Sequence, residues 1–213
     1  YWNMLAAGYK FIAFFSWHNY PLIARSENED HRRRAAEAIK QLARCGRHAE
    51  WVLPAAAHWQ DCEARSAALF SFTTEAFDIE PRYQGHLHTK RVCDLYREAL
   101  RQNVPMKIIC EEEVLDGILD RFDTLCLHDV RALPEDVRDR VQQYADAGGM
   151  VLSDHDPLYT DAWHPNRKVE IKGAVEMAPD SMIAYLADRV ERAVVVSNPH
   201  VTARRFRSGE VEY

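Results

Sequence analysis

The apolar positions of this chain switch repeatedly between two spacings. Short runs at residues 10–15, 67–72, 106–110, 123–128 and 150–152 are apolar at half or more of their positions, as strands covered on both faces of a parallel sheet would be. Between them apolar residues recur every three or four positions. Ala35, Ala38, Ile39 and Leu42 mark one helical face over residues 30–45, which Gly46 is expected to stop. Val92, Leu95, Tyr96, Ala99 and Leu100 mark another over 89–102, and a short acidic helix through Glu113 and Leu119 follows the strand at 106–110. Strand and helix in alternation predict a mostly parallel sheet flanked by helices, an α/β fold.

The pattern is sharpest over residues 122–156. An apolar run, Asp123-Thr124-Leu125-Cys126-Leu127-His128, is followed by Leu133-Pro134-Glu135-Asp136, with proline and acid placed to open a helix. Val137, Val141, Tyr144 and Ala145 then repeat at helical spacing until Gly148-Gly149, and Met150-Val151-Leu152 begins the next strand. In an open α/β sheet the loop beyond such a strand is where a ligand or nucleophile is held. Here that loop is Ser153-Asp154-His155-Asp156-Pro157, with no glycine-rich elbow. The stretch 157–178 is irregular, with Val169-Glu170-Ile171-Lys172 as a candidate edge strand, and a helix is expected over 181–189. A strand at 193–197 and a hairpin across Ser208-Gly209 read as the start of a β domain.

These readings divide the 213 residues into 1–61, 62–189 and 190–213. Both ends look like elements cut in mid-course, so the chain reads as an internal piece of a larger protein. A hydrophobic fraction of 47 % is enough for a packed core, and a net charge of −6 argues against nucleic acid as a partner. Arg32-Arg33-Arg34 reads as a solvated helix face. Neither a signal peptide nor a membrane-spanning run is seen, so no membrane partner is expected. Five scattered cysteines with no Cys-x-x-Cys pair indicate thiols in a reducing, cytoplasmic compartment.

The middle region resembles the class I glutamine amidotransferase-like, flavodoxin-like fold in the degenerate form known as the β-galactosidase trimerisation domain. The residues that carry the likeness are Leu95-Tyr96-x-x-x-Leu100-x-x-x-x-Val104-Pro105, Phe122 to Leu127, Leu133-Pro134, and Val141-x-x-Tyr144-x-x-x-Gly148-Gly149 before Met150-Val151-Leu152. The first region resembles the close of a glycoside hydrolase family 42-like barrel, through Leu5-Ala6-Ala7-Gly8-x-x-x-Ile12-x-x-Phe15-Ser16-Trp17-His18. His18 stands where that family tends to have Arg. The resemblance implies a barrel-end βα remnant followed by a non-catalytic domain that self-associates, as in a trimer, and supports a neighbouring sugar-processing site.

An active amidotransferase needs a cysteine on a sharp elbow, activated by histidine and an acid. Laid over residues 152–156, that elbow has neither glycine and places His155 roughly where the thiol should be. Cys126 lies inside the preceding strand, where burial should raise its pKa. No catalytic residue is therefore assigned. Glycoside hydrolysis needs two carboxylates, which the resemblance places upstream of Tyr1. The barrel remnant keeps Trp17, His18 and Asn19 as candidate sugar-binding residues, while Glu27 and Glu29 read as caps of the helix behind them. Asp154, His155 and Asp156 form a candidate ligand loop. Adjacent strand residues point to opposite faces, so these three are read as polar loop residues capping the next turn rather than a metal cluster. His86-x-His88 is read as a pair of surface histidines. No metal or cofactor is expected. The alternative function is a small-ligand or carbohydrate-binding module at the carboxyl edge of the sheet, using the 154–156 loop and the stretch 159–163.

Overall fold

The computed structural model describes residues 25–56, 60–61, 64–77, 87–154, 158–159, 168–190, 206–208 and 211–212. Its contacts divide the chain into two units, Tyr1–Cys62 with Arg205–Tyr213, and Glu63–Arg204. In the first unit, helix α1 (Glu29–Ala56) runs for 28 residues and does not stop at Gly46. Glycine ends a helix by taking up left-handed backbone; Gly46 is not among the positive-φ residues and costs the helix only about 1 kcal/mol relative to alanine. Its start is capped by Asn28, whose Oδ1 accepts from the N–H groups of Asp30 at 2.9 Å and His31 at 3.2 Å, rather than by Glu27 or Glu29. Arg32, Arg33 and Arg34 are exposed, and the last two pair with Asp30.

Strand β1 (Gln60–Asp61) belongs to this unit. The second unit opens with β2 (Ser66–Phe70), α2 (Phe72–Phe77), α3 (Leu87–Arg101), β3 (Met106–Cys110) and α4 (Glu111–Leu115). After a 3-10 turn at Ile118–Arg121 come β4 (Thr124–Leu127), α5 (Glu135–Asp146) and β5 (Met150–Ser153). Then follow β6 (Leu158–Tyr159), β7 (Lys168–Val169), β8 (Val175–Glu176) and α6 (Pro179–Arg189). Strands β9 (Phe206–Ser208) and β10 (Val211–Glu212) return to the first unit, where β9 pairs antiparallel with both β10 and β1.

The central sheet is entirely parallel, in the order β3-β2-β4-β5-β8. The second strand of the sheet lies outside the first, so the chain reverses direction between β2 and β4 and lays its helices on opposite faces. Side chains alternate accordingly. Ala67, Leu69, Ile109, Leu125, Leu127 and Val151 face a core closed by Val114, Leu119, Val137 and Val141 from α4, the 3-10 turn and α5. Ala68, Met106, Cys126 and Leu152 face the other core, closed by Val92, Leu95 and Ala99 of α3 and Met182, Ile183 and Leu186 of α6. Strand buried on both faces and helix on each side is the fold the apolar spacing predicts.

The Tyr-x-x-x-Gly-Gly segment has a steric explanation. Gly148 has φ +98°, and its N–H reaches Ala145 O at 3.0 Å while the N–H of Gly149 reaches Tyr144 O at 2.9 Å. These two bonds satisfy the last carbonyls of α5 and turn the chain into β5. A Cβ on Gly149 would land in the ring of Tyr144. That ring lies flat against the glycine and sends its hydroxyl to Phe122 O at 3.3 Å. The motif therefore locks the end of α5 onto the start of the β4 segment.

Two expected details differ. Residues 169–172 are not an edge strand of the main sheet: β7 pairs antiparallel with β6, and the sheet's edge is β8. Ile171 instead drops into the core, and Lys172 exchanges 2.8 Å and 3.2 Å hydrogen bonds with the Gln142 side chain. The strand expected over 67–72 ends at Phe70, because Ser71 caps α2. The strands expected at 10–15 and 193–197 lie outside the described residues.

Candidate functional site

The carboxyl ends of β2 and β4 meet where the sheet reverses, and the polar groups of the second unit gather there. Ser71 follows β2. Its Oγ accepts from Thr74 N–H at 2.9 Å, which caps α2, and gives its own proton to Glu111 Oε1 at 2.6 Å. Glu111 begins α4, directly after β3, and is 8 % exposed. Its carboxylate also accepts from the Thr73 N–H and the Thr73 hydroxyl, both at 3.2 Å. The place where a doubly wound sheet usually offers a helix N-terminus to a ligand anion thus holds the protein's own carboxylate. Thr74 completes the closure: its hydroxyl donates to Ala132 O at 2.8 Å and accepts from Ala132 N–H at 3.0 Å.

His88 lies in the same closed cluster. It is fully buried, and its Nε2 accepts the Ser71 N–H at 3.0 Å while the ring stacks on Phe70. Nδ1 is buried without a hydrogen-bond partner. Burial is the largest influence on this imidazole and holds its pKa below the ordinary value, against the pull of the Asp129 and Glu75 carboxylates. His88 is therefore not a surface histidine. His86 lies outside the described residues.

A second cluster sits at the ends of β4 and β5. Asp154, one residue beyond β5, accepts the Asp129 N–H on Oδ1 at 2.7 Å and meets His128 Nδ1 with Oδ2 at 2.5 Å. Both side chains are about nine-tenths buried, at 11 % and 8 % exposed. Asp129 has φ +53°, a left-handed conformation that aspartate tolerates better than most residues, and its 2 % exposed carboxylate pairs with the guanidinium groups of Arg91 and Arg131. The bend at Asp129 turns its N–H toward the neighbouring strand's loop, where Asp154 receives it.

Of the residues singled out in the sequence, Asp154 is placed at the carboxyl edge, bonded back to the β4 loop, and the turn it was expected to cap lies outside the described residues. In the five-residue elbow pattern the central position is Asp154, one residue before the earlier placement at His155. His155 and Asp156, like Trp17, His18 and Asn19, lie outside the described residues. Cys126 faces the α3 and α6 core with no solvent exposure, and burial pushes its thiol up to about 12. Cys110 is likewise raised by burial, and Cys93 is exposed on α3. Ser71, Glu111, His128 and Asp129 were not singled out. Their signal was available: each lies within two residues of the end of an apolar run.

Among the described residues no group of three His, Cys, Asp or Glu side chains is arranged to hold a metal ion, and no helix is long and apolar enough to cross a membrane. The chain matches no protein-family model and no curated protein. Solved structures similar to it include a β-galactosidase from Bifidobacterium adolescentis, 25 % identical over 43 % of this chain and 40 % of that one, with a TM-score of 0.36. A cold-adapted β-galactosidase from Rahnella sp. R3 is 24 % identical over 58 % of this chain and 17 % of its own, with a TM-score of 0.39. A third, from Bacillus circulans sp. alkalophilus, is 18 % identical over 60 % and 18 %, again at 0.39. The chain covers less than half the length of each.

Proposed function

We propose that this chain is a non-catalytic, amidotransferase-like domain of a glycoside-hydrolase-like protein, serving self-association and the support of a neighbouring sugar-processing barrel. The observation that carries this reading is the state of the carboxyl edge. Glu111 is spent on Ser71 and Thr73, Asp154 on His128 and the Asp129 N–H, and the Cys126 thiol lies sealed in the core. A nucleophile needs an exposed, activated thiol or hydroxyl beside a base. At this edge Ser71 is fully buried and donates to a carboxylate already occupied by main chain. The residue resemblance around Tyr144 and Gly148-Gly149 supplies the family context.

Sedimentation of the chain over a wide concentration range tests the association. Concentration-dependent self-association is expected, and a monomer at every concentration would overturn that role. Turnover of aryl glycosides by the chain alone would overturn the non-catalytic reading. A second reading, a small-ligand module, is favoured by one observation, the groove between α3 and α6 that His128 lines.

A further inference from the structure

The two ring nitrogens of His128 have different fates. Nδ1 is held by the buried Asp154 carboxylate, so in the neutral ring the hydrogen sits on Nδ1 and Nε2 is an acceptor. Among the described residues no hydrogen bond occupies Nε2. His128 also lines a groove of about 260 Å³ between α3 and α6. An imidazole fixed by a buried carboxylate, on a residue that lines a cavity, is oriented for a ligand, because its rotamer and tautomer are set before anything binds.

The remaining lining defines the ligand's chemistry. Asp94, Glu98 and Asp180 supply three carboxylates, and Arg97 and Arg101 supply two guanidinium groups. Arg97 pairs with Asp94 at 2.6 Å and Arg101 with Glu98 at 3.4 Å, so acceptors and donors alternate along the α3 wall. Leu95 and Ile183 give the groove an apolar patch. A near-balanced lining favours neither an anion nor a cation. A hydroxyl both donates to a carboxylate and accepts from a guanidinium, and adjacent hydroxyls on a ring match adjacent charges on a helix. The volume lies just below the usual range for drug-sized ligands, which suits a single sugar ring.

We infer that the groove between α3 and α6 is a binding site for a neutral, polyhydroxylated small molecule of monosaccharide size, with His128 Nε2 accepting one ligand hydroxyl. Asp154 is a positioning residue for that imidazole. The inference stands apart from the self-association reading and gives the binding-module reading a place and a ligand class.

Imidazole proton–nitrogen spectra of the whole chain, titrated with D-glucose, D-galactose and D-mannose, test it. D-glucuronate and D-glucosamine serve as charged comparators. At least one neutral sugar is expected to move the His128 resonances saturably, with affinity in the millimolar range. The exposed pair Arg101→Ala and Asp180→Asn should weaken that binding by about tenfold or more, the equivalent of one lost charge-assisted contact. Asp154→Asn should transfer the ring hydrogen to Nε2, visible in the nitrogen shifts, and weaken binding while the fold persists. No saturable shift with any neutral sugar, tighter binding of either charged comparator, or binding indifferent to the double variant would each overturn the site. Self-association measured on the same samples reports separately on the scaffold reading.

Discussion

Two clusters share one edge of the sheet and use carboxylates in opposite ways. At the ends of β2 and β3, Glu111 faces inward to hydroxyl and main-chain donors and closes the start of α2. At the ends of β4 and β5, Asp154 holds the imidazole of a histidine that lines a groove. The first arrangement removes a site and the second prepares one. The difference lies in what remains after the carboxylate is satisfied. Around Glu111 the donors are consumed, whereas beyond Asp154 an imidazole nitrogen is left over. A buried carboxylate is not by itself a sign of chemistry; the unspent partner is.

The sharpest way to break this contrast is Glu111→Ala. It leaves the half-buried Thr73 N–H and Thr73 hydroxyl without their acceptor and the buried Ser71 hydroxyl with only Ala132 O, at 3.0 Å. A loss of about 3 kcal/mol in stability is expected, read from the denaturant midpoint. A loss no larger than that of an exposed control such as Glu112→Ala would mean the cluster is wet and its carboxylate dispensable. Glu111→Gln should recover part of the loss, since one carbonyl oxygen still faces the hydroxyl donors.

Asp154→Asn is the matched test on the other side and should cost less, about 1 kcal/mol. The amide oxygen can keep the Asp129 N–H, and the amide nitrogen can donate to His128 Nδ1 once the ring exchanges tautomer. The consequence is a redirected imidazole more than a weakened fold. If the stability loss equalled that of Glu111→Ala, Asp154 would be closing the edge in the same manner as Glu111, and the distinction between the two halves would fail.

The fold was readable because its strands are apolar on both faces and its helices on one. Ala67 to Leu69, Leu125 to Leu127 and Val151-Leu152 announce a sheet with cover on each side. Gly148-Gly149 announces the return to the next strand. Gly46 misled because a glycine stops a helix only if the backbone turns left-handed there, and spacing does not report φ. The site was less readable for a different reason. Ser71, Glu111, His128 and Asp154 come from four separate strand ends, and only the strand order brings them together. His86-x-His88 could share one face of a strand and hold a metal, and it read as a surface pair because no third ligand stands nearby in the sequence. Residues 87–101 are helical instead, and one turn buries His88 under Ser71. Asn28 was passed over for its acidic neighbours, although its short amide is the better cap.

The smallest effect separates the clusters by proton. His88 belongs to the closed half, and burial holds it below the 6.5 of a free imidazole. As pH falls through about 6.5, the unfolded chain takes up a proton that the folded chain still refuses. The contribution of His88 is therefore whole above that pH and declines as the pH drops toward the lowered folded value. Protonation would also place a hydrogen on Nε2 against the Ser71 N–H, so the closed cluster has a geometric reason to stay neutral. His88→Gln removes the titration while retaining an oxygen acceptor for Ser71. Stability measured between about pH 8 and about pH 5 should then fall less steeply in the variant than in the parent. Equal slopes would place the acid sensitivity elsewhere and leave the closed half with no proton signature of its own.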